Sequence, residues 1–135
     1  MNTRDKGERA EIKILTALIE RGDTVSVPWG DNQRYDLIWD NGVELARVQV
    51  KSGRLRDGVI QFDSISNSTY YKPQYEPKGY KGQVEYFGVY CPDNDQCYII
   101  PIDDVPDGRP HLRVEATKNG QTKNIRWAKD YQVGA

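Results

Sequence analysis

Asp36, Gln49 and Lys51 are the residues whose types and spacing point most directly to chemistry. Residues 33–40 and 43–51 alternate as β-strands do, and Asp40-Asn41-Gly42 between them is a strong turn signal, so the two runs are expected to form a hairpin. Asp36 and Gln49 lie nearly symmetrically about that turn, which sets them opposite or diagonal on antiparallel strands, within about 5 to 8 Å. Because side chains alternate along a strand, Gln49 and Lys51 share one face while Val48 and Val50 fill the core from the other. A carboxylate, an amide oxygen and an ammonium thus converge. Hard oxygen donors of this kind suit Mg²⁺, which takes one or two carboxylates and keeps several waters. Such an ion polarises a phosphoryl oxygen and lowers the pKa of its water, while Lys51 orients that water or neutralises charge growing on a phosphate in flight. The chemistry this combination supports is phosphodiester hydrolysis. The competing reading is a surface ion pair between Asp36 and Lys51, worth ~0 to 1 kcal/mol.

The elements that must position these groups follow from periodicity. A helix is predicted over residues 5–21, from Ile12, Leu15, Leu18 and Ile19 at helical spacing and Gly22 placed to end it. At about 100° per residue, Glu8 and Glu11 fall on the stripe of Ile12, Leu15 and Ile19, which is expected to face the sheet. A carboxylate buried there needs a partner or a cation. Asp5 and Glu8 have capping-box spacing, which assigns Glu8 to the helix start; Glu11 lies beyond the cap and becomes a further candidate for holding a metal or orienting its water. The acid, amide and amine are therefore expected to meet around one cation beneath this helix.

Further strands are predicted at 24–28, 59–63, 84–91 and 97–102, the last two flanking Pro92-Asp93-Asn94-Asp95 as a second hairpin. Short strands near 112–114 and 124–127 follow, while residues 64–83, with two prolines and two glycines, read as a loop. One helix packed on a mixed β-sheet of hairpins is an α/β (α+β) arrangement. Nothing marks a boundary, so a single domain over residues 1–135 is expected.

Apolar residues make up 37% of the chain and charged residues 29%, a balance that builds a modest core and argues against disorder. The absence of a long apolar run leads to the expectation of a cytoplasmic protein. Cys91, Cys97 and His111 are too few for a Cys/His zinc site. The cysteines are expected reduced, as small apolar residues in adjacent strands, and His111 on the surface. The net charge of −1 hides a pattern: residues 51–81 carry 6 basic and 3 acidic side chains, residues 82–108 none and 6, and residues 109–135 again 6 and 2. A chain neutral in total can still turn a cationic face to a polyanion, because local potential does the steering.

Arg34-Tyr35-Asp36-Leu37-Ile38 followed by Arg47-Val48-Gln49-Val50-Lys51, behind Lys6-Gly7-Glu8-Arg9-Ala10-Glu11 on a helix, resembles the PD-(D/E)XK nucleases. The whole chain, including residues 84–90 and 125–131, is most similar within that superfamily to homing endonucleases encoded by bacterial group I introns. It is more distantly similar to archaeal Holliday junction resolvases. The resemblance implies a restriction-endonuclease-like fold, with Asp36 as the invariant acidic ligand, Lys51 as the catalytic lysine and Glu11 as the helix glutamate that helps hold the metal. It implies a metal set of Glu11, Asp36, Gln49 and Val50, taking Mg²⁺ with Mn²⁺ as a substitute. Gln49 stands where the family usually has Asp or Glu; its carbonyl can ligate but brings no charge.

Double-stranded DNA is the expected partner. The segment 64–83 interleaves Tyr70, Tyr71, Tyr75 and Tyr80 with Lys72, Lys78 and Lys81, after the basic Arg54 and Arg56, which suits phosphate attraction and stacking. An oligomer interface is the other reading of those tyrosines. Asn32, Gln33 and Arg34 are expected near the scissile phosphate, and Lys118, Asn119 and Lys123 in a β-ribbon contact. Cutting both strands of a duplex takes two sites, so a homo-oligomer of at least two copies and a roughly palindromic target are expected. The alternatives are a junction resolvase or restriction-type nuclease on the same framework, and a DNA-binding module without activity.

Overall fold

The first helix owes its start to Asn2. Its Oδ1 accepts a hydrogen bond from the Asp5 backbone N–H at 2.8 Å, so Asn2, not Asp5, is the N-cap and α1 (Thr3–Glu20) begins two residues earlier than predicted. Glu8, freed from the cap, lies exposed and pairs with Arg4 at 3.6 Å. The helix ends in a Schellman arrangement: Gly22, at φ +97°, donates to the Ile19 carbonyl, and Asp23 donates to that of Leu18. The structure, a computed structural model, describes residues 2–30, 33–66, 78–80, 82–105, 108–117, 119–120 and 125–134.

The buried face of α1 is the i, i+4, i+8 row Ala10, Ile14 and Leu18, with Leu15 packed at its border; of the predicted apolar positions Leu18 and Leu15 face the core, while Ile12 and Ile19 are 63% and 49% exposed. Gly88 accounts for the rotation. A Cβ there would lie 3.0 Å from Ile14 Cγ2 and 3.2 Å from Val48 Cγ1, so the sheet has a depression into which the Ile14 side chain packs beside Val48.

The strands are β1 (Thr24–Ser26), β2 (Leu37–Asp40), β3 (Leu45–Ser52), β4 (Arg54–Arg56), β5 (Val59–Gln61), β6 (Ile65–Ser66), β7 (Lys78–Gly79), β8 (Tyr86–Cys91), β9 (Gln96–Pro101) and β10 (His111–Arg113). Five of them form one sheet in the order β1-β2-β3-β8-β9. Both predicted hairpins are present, β2 with β3 and β8 with β9, and a parallel pairing of β3 with β8 joins them. The expected run 33–40 is shorter in fact: β2 begins at Leu37. Near 124–127 only an isolated bridge between Arg113 and Trp127 is formed, and residues 121–124 lie outside the described residues.

Alternation along β3 and β8 makes two cores. On the helix side, Leu37, Trp39, Val48, Val50, Tyr90 and Ile99 pack against α1; on the other, Phe87, Val89 and Ile100 pack against Ile60, Phe62 and Leu112. The second layer is a small antiparallel sheet in the order β10-β5-β4. Each fully buried Leu, Ile, Val or Phe contributes roughly 1.5–3 kcal/mol, so the two layers fix β3 from both sides. Cys91 and Cys97 are buried free thiols, one in each core, and His111 is exposed, as expected.

Candidate active site

The site exists because β3 outruns β2. Leu37 pairs with Val48 at the end of their ladder, and just past it the Asp36 N–H donates to the same Val48 carbonyl at 2.8 Å, holding Asp36 beside β3. Past that point β3 faces a gap. The Val50 N–H, left without a ladder acceptor there, donates to Asp36 Oδ2 at 2.9 Å. The carboxylate is thereby pinned, half-buried, at the mouth of the two strands. Burial raises the Asp36 pKa above the usual carboxylate range, while the Val50 N–H, a hydrogen bond from Glu11 and the charge of Lys51 pull against it.

Glu11 reaches the same carboxylate from α1. Its own pKa is pushed up to about 7, first by burial, then by the charge of Asp36, the hydrogen bond to it and the charge of Glu8. Glu11 thus gives up its proton only near neutrality, in the place where a hard divalent cation would relieve the repulsion between the two carboxylates. Among the described residues no cluster of three or more His, Cys, Asp or Glu is found. Gln49 and Val50, next along β3, carry uncharged oxygens. The Gln49 amide nitrogen turns along its own strand to donate to the Val50 carbonyl at 3.4 Å, and the Val50 side chain is buried on the helix side. The donor set fits Mg²⁺.

Since Val48 and Val50 belong to the core beneath α1, Gln49 and Lys51 point to the opposite face of the sheet. Gln49 and Lys51 therefore do not meet beneath the helix, contrary to the expectation; only Glu11 reaches Asp36 from α1. Lys51 Nζ donates to the Tyr80 hydroxyl at 3.3 Å and lies 4.8 Å from its ring centroid. The Arg34 guanidinium carbon is 4.0 Å from the same centroid. Tyr80 is buried and set edge-on to Phe87, with centroids 5.5 Å apart. It was expected as an exposed stacking face for DNA; the ring is instead a platform for two cations, because backbone N–H groups of Gln83 and Val84 bind its carbonyl and hold it against β8. Its position just ahead of the Gly82-Gln83 turn and the apolar β8 is the sequence signal for that role.

Of the other residues expected to touch DNA, Arg54 and Arg56 are exposed on β4, Gln33 is exposed ahead of Arg34, Asn119 is exposed in a turn, and the Lys78 backbone pairs with Ser66. Asn32, Tyr70, Tyr71, Lys72, Tyr75, Lys81, Lys118 and Lys123 lie outside the described residues.

A helix on a mixed sheet, with a carboxylate at the end of one hairpin strand and a Q-x-K run on the next, defines a class that comparison with known families makes explicit. The PD-(D/E)XK endonuclease profile matches residues 1–134, and the chain belongs to that family. Among solved structures it is similar to a bacterial homing endonuclease, I-Ssp6803I, with a TM-score of 0.78 and 23% identity, over 98% of this chain and 89% of that one. The likeness is one of fold, and with the family match it identifies the restriction-endonuclease-like architecture. A search of curated proteins gives no match.

Proposed function

We propose that this protein is a Mg²⁺-dependent DNA endonuclease of the homing type, cutting a long, roughly palindromic duplex target as a homo-oligomer, with Mn²⁺ able to substitute. The observation that carries the reading is the Glu11–Asp36 carboxyl pair at the end of the hairpin, with Lys51 acting on Asp36 from a fixed seat on Tyr80. Family membership supports a nuclease, and the homing endonuclease of similar fold supports the finer assignment.

Glu11 and Asp36, with the oxygens of Gln49 and Val50, would hold the ion, which when bound polarises the scissile phosphate and acidifies a water. The protein's own groups do the rest. Lys51 places an ammonium where charge develops on the phosphate, and Arg34 adds a second cation on the same ring. Asp36, held by the Val50 N–H, keeps its carboxylate aimed at the gap without cost at the moment of reaction.

Duplex DNA carrying a candidate insertion site, incubated with the protein and Mg²⁺, should be cut on both strands. Asp36→Ala and Lys51→Ala should each lower the single-turnover rate by about 100-fold or more while DNA is still bound. Cleavage of a four-way junction in preference to linear duplex would move the assignment to a resolvase. Binding without cleavage by the unmodified protein would leave a DNA-binding module.

A further inference from the structure

The small sheet presents a grid of side chains that the active site does not use. In its register Arg54 aligns with Gln61 and His111, and Arg56 with Val59 and Arg113. The residues between them, Leu55, Ile60 and Leu112, face the core, and Ile60 and Leu112 are fully buried. Alternation therefore turns both rows outward, three strands wide and two side chains deep. None of the six is acidic and three are arginines.

The grid is tied to the catalytic strand. Only Ser52 and Gly53 separate Lys51 from Arg54, and the Gly53 N–H continues toward β8 by donating to the Tyr90 carbonyl at 2.8 Å. A Cβ on Gly53 would lie 2.8 Å from Ile60 Cγ2 and 3.0 Å from Val89 Cγ1, so the chain crosses between the two sheets where a side chain does not fit. The Asp93 carboxylate then anchors β4 by accepting from the Leu55 N–H at 2.8 Å. Arg54 thus stands ~10 Å along the chain from Lys51, about three base-pair rises.

We propose that this outer face of β4, β5 and β10 enters the major groove of duplex DNA and reads base edges a few pairs from the cut. The inference rests on the nuclease reading and names where its specificity lies. The face is about 10 Å across its three strands, against a groove about 12 Å wide. Its chemistry matches what that groove displays. Arginine donates in a fork to guanine O6 and N7, and glutamine pairs with adenine N6 and N7. Gln61 and His111 are already hydrogen-bonded to one another at 2.9 Å, which orients the amide before DNA arrives. The Arg113 Nε donates to the Glu115 carbonyl at 3.0 Å, aiming that guanidinium from the neighbouring row.

The test is a binding selection from duplexes randomised around a central site, with the unmodified protein, Arg54→Ala, Arg56→Ala and Gln61→Ala, each checked for an unchanged melting temperature. The expected result is a base preference in the unmodified protein that each variant loses at its own one or two positions, by roughly 5- to 150-fold, the remaining positions being unaffected. Variants that weaken all sequences equally and lower the salt slope by about 1 per arginine would show phosphate contacts only and overturn the proposal. So would an unmodified protein without base preference. Because the selection reads binding, a protein that keeps its preferences but cuts nothing defeats the nuclease assignment alone.

Discussion

The raised pKa of Glu11 beside Asp36 gives the folded protein a pH dependence opposite to that of an ion-paired carboxylate. The Glu11 pKa stands at about 7 in the fold against its ordinary 4.5, so between those values the folded chain binds protons that the unfolded chain has released. Stability is then full below the unfolded pKa and is lost as pH rises from 4.5 to about 7. Thermal melting of the metal-free protein should fall over that interval. Glu11→Gln should flatten the fall, and added Mg²⁺ should oppose it most at the upper end, where the pair is ionised and binds the ion. A melting temperature that climbs with pH across the interval would remove the carboxyl pair as described. Tyr80 provides a second residue-scale expectation. Tyr80→Phe keeps the ring under Lys51 and Arg34 and removes only the hydroxyl, so the single-turnover rate should drop about 10-fold with DNA affinity little changed. Tyr80→Leu removes the ring as well and should also weaken binding. Losses that merely track the folded fraction, followed by circular dichroism, would make Tyr80 a packing residue. The hairpin was legible because strand register is a local property: symmetry about Asp40-Asn41-Gly42 pairs residues 37–40 with 45–48, as the ladder does, and brings Asp36 to its open end beside Val50. Tyr80 was not, since its partners come from β3 and from the segment ahead of β2, and no sequence spacing relates them.

At the scale of elements, one glycine decides how the helix sits. The two apolar sets on α1, Ala10/Ile14/Leu18 and Ile12/Leu15/Ile19, both have helical spacing, and periodicity cannot choose between them. The choice is made by the hollow at Gly88, on a strand remote in sequence. Gly88→Ala should therefore force Ile14 and Val48 apart, destabilise the protein by about 1–3 kcal/mol in denaturant titration and move Glu11 away from Asp36, so that activity falls further than the folded fraction. An alanine accommodated without change in either measurement would place the helix differently. The β3–β8 pairing was similarly hidden. Hairpins announce themselves through their turns, whereas parallel neighbours need a long crossover that carries no local signature. The β4–β5 hairpin was legible in principle: Asp57-Gly58 has the residue types of a two-residue turn, and both take positive φ, 52° and 77°.

The whole molecule explains how a chain of net charge −1 can approach DNA. Many acids of the segment 82–108 are engaged internally: Glu85 with Arg47, Asp93 with the Leu55 N–H, Asp95 with Lys13 and Tyr90, and Asp104 with Tyr131. The arginines of β4 point to solvent, so the field near the site is more positive than the total suggests. One chain contributes one carboxyl pair and one lysine, while the strands of a duplex run antiparallel and present two scissile phosphates related by a two-fold axis. Two copies about the same axis satisfy that geometry, and Val27 and Trp29, 64% and 97% exposed just past the edge strand β1, are apolar surface of the kind a partner covers. Light scattering should accordingly give a mass of at least twice the 15.5 kDa chain, and dilution below the assembly constant should convert double-strand cuts into single-strand nicks. A 15.5 kDa particle that still severs both strands in one binding event would require a second site within the chain and would overturn the two-copy arrangement.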